Sequence, residues 1–221
     1  MLERTLQYRL SIILILSLAV FLSGCETAYY GTMEKLGYHK RDLMVNRVES
    51  ARDAQEDAKK QFESALEKFS SVLQFDGGEL EDKYDQLKTA YDRSSARAQT
   101  VRDRIESVED VAADLFDEWE AELSEYSSDN LRRSSARKLE QTRRQYAQLI
   151  GAMKRAESKM DPVLTAFHDQ VLFLKHNLNA RAIASLQTEL ISVESEVNSL
   201  IRDMNASIKE ADAFISTMTR E

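Results

Sequence analysis

Residues 80–126 read LEDKYDQLKTAYDRSSARAQTVRDRIESVEDVAADLFDEWEAELSEY, and this stretch decides the fold. One series of positions at steps of seven runs Leu80, Leu87, Ser94, Val101, Val108 and Leu115. A second runs Tyr84, Tyr91, Ala98, Ile105, Ala112, Trp119 and Tyr126. The two interleave by steps of four and three. At about 3.6 residues per turn, that spacing returns every marked side chain to one face of an α-helix. No glycine or proline interrupts the stretch. The reading is one long helix with an apolar seam and charged flanks, as in a coiled coil.

Working outward, the same spacing recurs on both sides. Upstream, Met44, Ala51, Ala58, Ala65 and Val72 interleave with Val48, Gln55, Phe62 and Phe69, which predicts a first helix over 33–74 capped by Thr32. Asp76-Gly77-Gly78 then breaks the pattern, since glycine adopts the left-handed conformation that ends helices. The second helix is expected over 79–126. Ser127-Ser128-Asp129-Asn130 supplies capping residues for a third over 130–176. Its series is Leu139, Tyr146, Met153, Met160, Phe167 and Leu174, with Leu149, Ala156, Val163 and Val171 between them. Pro162 falls inside this run. Asp161-Pro162 reads locally as a helix start, yet the steps of seven cross it. A kink or brief interruption at Pro162 is the first reading; a third helix ending at Met160 and a very long last helix is the other. After a register failure between Leu174 and Ile183, a fourth helix is expected over 181–219. It carries Ile183, Leu190, Val197, Met204, Ala211 and Met218, with Leu186, Val193, Leu200 and Ile208 as partners.

The composition agrees. In 221 residues there are one proline and six glycines, too few for the many turns of an α/β domain. Charged residues make up 31%. The fold class is therefore all-α: an elongated, antiparallel, coiled-coil-like bundle of about four long helices over 33–221. Similar helix lengths and short connections imply up-down-up-down order.

Residues 1–24 read as a lipoprotein signal peptide. Arg4 and Arg9 outweigh Glu3, and Leu10 to Leu22 is a nearly unbroken apolar run of 13 residues. Crossing the hydrocarbon core takes about 20 residues, so the run fits a signal-peptide core better than a span. It ends in Leu22-Ser23-Gly24-Cys25, a lipobox: an apolar residue, two small ones and a cysteine. Small residues fit a peptidase cleft. The Cys25 thiol takes diacylglycerol in thioether linkage, and cleavage before it frees an amine for a further acyl chain. Residues 25–32 are then a lipid-anchored tether; the seven residues after Cys25 reach at most ~25 Å. Tyr29 and Tyr30 either sit at the headgroups or pad the base of the bundle. Glu26 follows the cysteine where aspartate marks inner-membrane retention. The expected location is thus a bacterial cell envelope, at the outer membrane facing the periplasm.

The net charge of −8 disfavours nucleic acid and bulk attraction to an anionic surface. Within it lies a basic stretch, residues 132–155, holding Arg132, Arg133, Arg137, Lys138, Arg143, Arg144, Lys154 and Arg155 against Glu140 alone. The end of helix two is the opposite: Glu106, Glu109, Asp110, Asp114, Asp117, Glu118, Glu120, Glu122 and Glu125. A hairpin about Ser127-Ser128 lays the two together. Flanking charges of this kind select partner and orientation, although each exposed pair adds only about 0–1 kcal/mol. The rival reading leaves the stretch free to lie on anionic lipid.

Catalytic, cofactor and metal signatures are missing from the sequence. His39, His168 and His176 have no His or Cys neighbour at three or four residues, and Cys25 is committed to lipid. Gly77-Gly78 is followed by Glu79 and Leu80, so no phosphate loop is present. No nucleophile motif surrounds any serine. The expectation is a protein that is not an enzyme and takes no small-molecule substrate.

Val171-Leu172-Phe173-Leu174-Lys175-His176-Asn177-Leu178-Asn179-Ala180, together with Met33-Glu34-Lys35-Leu36-Gly37 and His39-Lys40-Arg41-Asp42-Leu43, resembles an uncharacterised family of proteobacterial α-helical lipoproteins, a domain of unknown function. The resemblance covers most of the mature chain. It implies an exported helical protein and brings no catalytic residue. Lys175, His176 and Asn177 lie where the register breaks. They read either as a partner-contact tip or as a helix-ending turn. The functional expectation is a scaffold or adaptor acting by helix–helix contact, with a protein partner or with itself; a peripheral lipid-surface binder using 132–155 is the alternative.

Overall fold

The computed structural model describes residues 40–73, 80–177 and 180–220. Five helices follow in order: α1 Lys40–Leu73, α2 Leu80–Glu122, α3 Asp129–Ser158, α4 Met160–His176 and α5 Ala180–Thr219. No strand occurs among the described residues. The chain is all-α, as the spacing of its apolar positions dictates. The chain divides at Leu43 into a first unit, Met1–Leu43, and a second, Met44–Glu221. The architecture below is that of the second. The tether, the lipobox and residues 33–39 of the first expected helix lie outside the described residues.

Within the second unit, α1, α2, α3 with α4, and α5 form four rods. Antiparallel order is fixed by side-chain pairs whose partners run in opposite directions. Arg52 meets Asp212 at 3.1 Å and Lys59 meets Asn205 at 3.2 Å, joining α1 to α5. Asp57 faces Arg97, and Gln61 donates to Ala90 O at 3.4 Å, joining α1 to α2. Glu109 pairs with Lys154 at 2.6 Å and Glu120 with Arg143 at 2.7 Å, joining α2 to α3. Lys159 pairs with Asp203 at 2.5 Å on α5. Each rod thus runs opposite to its sequence neighbours, in the up-down-up-down order of four-helix bundles. The longest, α2, has 43 residues and measures about 65 Å.

The core is the seam read from sequence. On α1, Met44, Val48, Ala51, Gln55, Ala58, Phe62, Ala65 and Phe69 are all buried. Small alanines alternate with phenylalanines, so a large side chain from one helix meets space on the next. Phe167 of α4 fills that space, its ring stacked on Phe69 at 4.4 Å and near Phe62 at 6.4 Å. On α5 the second series departs from the expected partner Ile208. Leu186, Val193 and Leu200 continue through Ser207 and Phe214, both buried, and Ile208 is only half-buried. The reason is a polar contact: Ser207 Oγ donates to Gln55 Oε1 at 2.7 Å across the seam. A serine there is tolerated because its hydroxyl is satisfied.

α2 ends at Glu122. Leu123 N–H is shared between Trp119 O and Glu120 O, and Ser124 and Glu125 bond three residues back. The chain tightens and turns before Tyr126, which is 39% exposed beyond the helix. The seam therefore stops at Trp119. α3 then starts at Asp129, with Ser128 in extended backbone accepting a long 3.5 Å bond from Leu131 N–H.

The third rod is interrupted at Lys159, three residues before Pro162. Pro162 has no N–H to give to Ser158 O, and its ring crowds that carbonyl. The helix responds one turn upstream. Lys159 N–H bonds to Ala156 O at 3.2 Å, and α4 restarts with Pro162 in its first turn, where no N–H is needed. Asp161 does not cap this start; its carboxylate is taken by Arg102 of α2. The register survives: Met153, Met160, Phe167 and Leu174 are all buried.

Candidate functional site: a basic helix face and an acidic groove

The Lys175-His176-Asn177 run ends α4. Asn177 N–H donates to Leu174 O at 3.2 Å and its Nδ2 donates to Phe173 O at 2.9 Å. The asparagine side chain thereby satisfies a carbonyl that the helix end leaves without a partner. Lys175 and His176 are exposed beside it. His168 is a half-exposed rim residue, tilted against Tyr91 at 5.2 Å with Asp169 at 4.0 Å. Among the described residues, no three His, Cys, Asp or Glu side chains come together as metal ligands. No described helix is long and apolar enough to cross a membrane.

The basic stretch divides into two faces. Arg143 and Lys154 flank the seam and reach α2, pairing with Glu120 and Glu109. Arg143 also lies over the Phe116 ring at 5.6 Å. The hydrogen bond to Glu120 holds the Arg143 guanidinium above its ordinary range, and the bond to Glu109 does the same for the Lys154 ammonium. Arg132 pairs within its own turn, with Asp129 at 2.5 Å, and Arg133 bonds Asn130 at 2.6 Å. On the outer face, Arg137, Arg144 and Arg155 are exposed. Within the described residues, no ion pair takes any of these three. A helix has only two flanks beside its seam, so the acidic half of α2 can neutralise only the cations that stand there.

Between the faces sits Tyr146, half-buried and edge-on to Phe116 at 5.5 Å. Burial pushes its phenol up to about 12, with Glu109 and Asp110 adding repulsion. A folded-state value above the unfolded one near 10 means that the neutral phenol favours folding. That contribution is whole below pH 10 and is lost as pH climbs towards 12. Urea midpoints measured across this range should fall more steeply for the native chain than for Tyr146→Phe, with a constant offset between the two below about pH 9. Parallel slopes in the two proteins contradict the assignment.

On the other side of the third rod, α4 and α5 enclose a groove of about 490 Å³. Ala166, Asp169, Gln170, Phe173, Glu189 and Glu196 are among the residues lining it. Gln170 is 6% exposed, and its buried Nε2 has no acceptor among the described residues. A second groove of about 420 Å³ lies between α1 and α2, lined by residues of mixed charge such as Lys68, Asp85 and Arg93. Sequence reading overlooked the α4–α5 groove because its signal is the pairing of two surfaces, not a motif in either.

An all-α bundle with charged outer faces defines the class of this protein. The particular family is a family of proteins of unknown function, DUF2959: its model matches residues 29–218, and the chain belongs to it. No curated protein and no solved structure matches the chain.

Proposed function

We propose that this chain is a non-enzymatic lipoprotein of the bacterial envelope, moored through lipid on Cys25, whose helical body works as a scaffold or adaptor by helix–helix contact. The observation that carries the reading is the contrast between seam and surface. Most of the described seam residues are buried within the bundle, while Glu189 and Glu196 of the α4–α5 groove and Arg137, Arg144 and Arg155 on the outer face of α3 form no ion pair among the described residues. Surfaces of that kind are recognition surfaces, because charge complementarity sets partner and register. The lipobox supplies the location, and the short tether keeps the body near the membrane.

A photoreactive residue placed at Arg144 or at exposed Ile191 tests this in living cells. The expected result is a discrete, reproducible adduct to one protein species from a membrane fraction, heterologous or a second copy. A uniform smear, or monomer alone from both positions, contradicts a scaffold role. The peripheral-binder reading has one observation in its favour, the outward Arg137, Arg144 and Arg155. It predicts adducts to lipid from position 144 and none to protein.

A further inference from the structure

The outer face of α3 has its own register. Arg137, Gln141, Arg144, Gln148, Gly151 and Arg155 follow at steps of four, three, four, three and four, the spacing of a seam, but every side chain is polar. Arg137, Gln141, Arg144, Gln148 and Arg155 are exposed. Gly151 stands inside a 30-residue helix, two turns from its end, where glycine is unfavourable. A Cβ added there meets only the mobile end of Arg155, at 3.5 Å. Among the described residues no other side chain or backbone crowds that position, and a glycine there lets a second backbone approach closely.

The α4–α5 groove has complementary features. Glu189 and Glu196 line it one heptad apart, and neither forms an ion pair among the described residues. Arg137 and Arg144 are also one heptad apart. Both pairs therefore recur at about 10.5 Å along their helices. Ala166 sets only a methyl group against the groove.

We propose that the occupant of the α4–α5 groove is the outer face of α3 from a second copy of this chain, with Arg137 and Arg144 set against Glu189 and Glu196 and Gly151 permitting close approach. The inference deepens the scaffold reading and rests on it: the helix–helix partner is the protein itself. A membrane surface fits less well. It explains neither the groove nor Gly151, and Glu140 interrupts the positive field beside the stripe. Stripe and groove are different surfaces, so the contact either closes as a reciprocal, isologous pair in which each copy gives both, or continues head to tail as a heterologous one.

The test uses the full chain purified from membranes in mild detergent and followed by sedimentation velocity. At low salt the protein self-associates, and 1 M salt dissociates it because exposed charges are screened. Glu189→Arg with Glu196→Arg, and separately Arg137→Glu with Arg144→Glu, each weaken association by at least about tenfold. Combining all four reversals restores it to within roughly threefold of the native value. Unchanged helical circular dichroism shows that each variant folds. Gln substitutions at the same four positions, which keep the stems and remove the charge, repeat the test if any reversal does not. Association that ignores the reversals, or that stays lost when they are combined, overturns the inference. So does a native chain that is monomeric at low salt, including one whose arginine face binds phosphatidylglycerol vesicles instead. A monomer in detergent that still gives a heterologous adduct in cells overturns the self-contact and leaves the scaffold reading standing.

Discussion

Replacing Phe167 with alanine is expected to lower the stability of the folded chain by about 3–5 kcal/mol. Phe167 is 0% exposed and joins two rods that are far apart in sequence. Its ring stacks on Phe69 of α1 at 4.4 Å with the planes 4° apart, and Phe62 closes the far side at 6.4 Å. Truncation removes the transfer free energy of a buried ring and leaves a void, since the flanking phenylalanines stand on rigid helices and cannot collapse into it. The aromatic pairing is lost as well. For a chain of this size the loss corresponds to a drop in melting temperature of about 6–20 °C. Thermal and urea unfolding followed by circular dichroism measure it. Ile191→Ala, at a position 73% exposed, is the control and should change stability by less than about 0.5 kcal/mol. A Phe167→Ala loss under about 1 kcal/mol contradicts the seam described for α1 and α4.

Much of this fold was legible in the sequence because a heptad seam is a one-dimensional signal. The spacing that marks Met44, Val48 and Ala51 on α1, or Met153, Met160 and Phe167 across α3 and α4, is the spacing that buries them. The departures have local causes. Hydrophobicity alone favours Ile208 over Ser207, because the hydrogen bond that makes a serine acceptable is donated to Gln55, which is 152 positions away. Tyr126 continues the steps of seven on paper, but the turn at Leu123 has already removed it from the helix. Pro162 announced an interruption without announcing where it falls. The strain is relieved one turn earlier, at Lys159, because that is where the missing hydrogen bond is felt.

The surface was less legible. Opposite charges in α2 and α3 gave the hairpin, and Glu120–Arg143 and Glu109–Lys154 realise it. Which arginines would be left over depends on helix phase. Once the seam is fixed, Arg137, Arg144 and Arg155 follow as the outward set. The α4–α5 groove depends on the distance between two helices, which no local spacing encodes. Lys175, His176 and Asn177 were distinctive as letters; the structure gives Asn177 a capping role and leaves the other two at the surface.

If the chain is moored through Cys25 as proposed, exchanging Cys25 for serine is expected to abolish its acylation. Oxygen is a poor substitute for the thiolate that accepts diacylglycerol, and without the thioether the peptidase step before residue 25 does not follow. The apolar run Leu10–Leu22 then remains attached, too short at 13 residues to span about 30 Å of hydrocarbon. Two or three acyl chains give stable anchoring and one gives marginal binding, so on the proposed mooring their complete loss releases the chain. Incorporation of radiolabelled palmitate should fall to background in Cys25→Ser and persist in Ser23→Ala, which keeps a small residue in the lipobox. The native chain should stay with membranes through a carbonate wash, and the serine variant should be released by it. Equal labelling of the native chain and Cys25→Ser would place any acyl group elsewhere and detach the helical body from its proposed mooring.

The most direct measurement is intact-mass analysis of the chain isolated from membranes. A polypeptide beginning at Cys25, heavier than its sequence by a diacylglyceryl group and an amide-linked acyl chain, is what a lipid-moored helical scaffold requires. A mass that includes Met1, or one that begins at residue 25 with a free thiol, contradicts it.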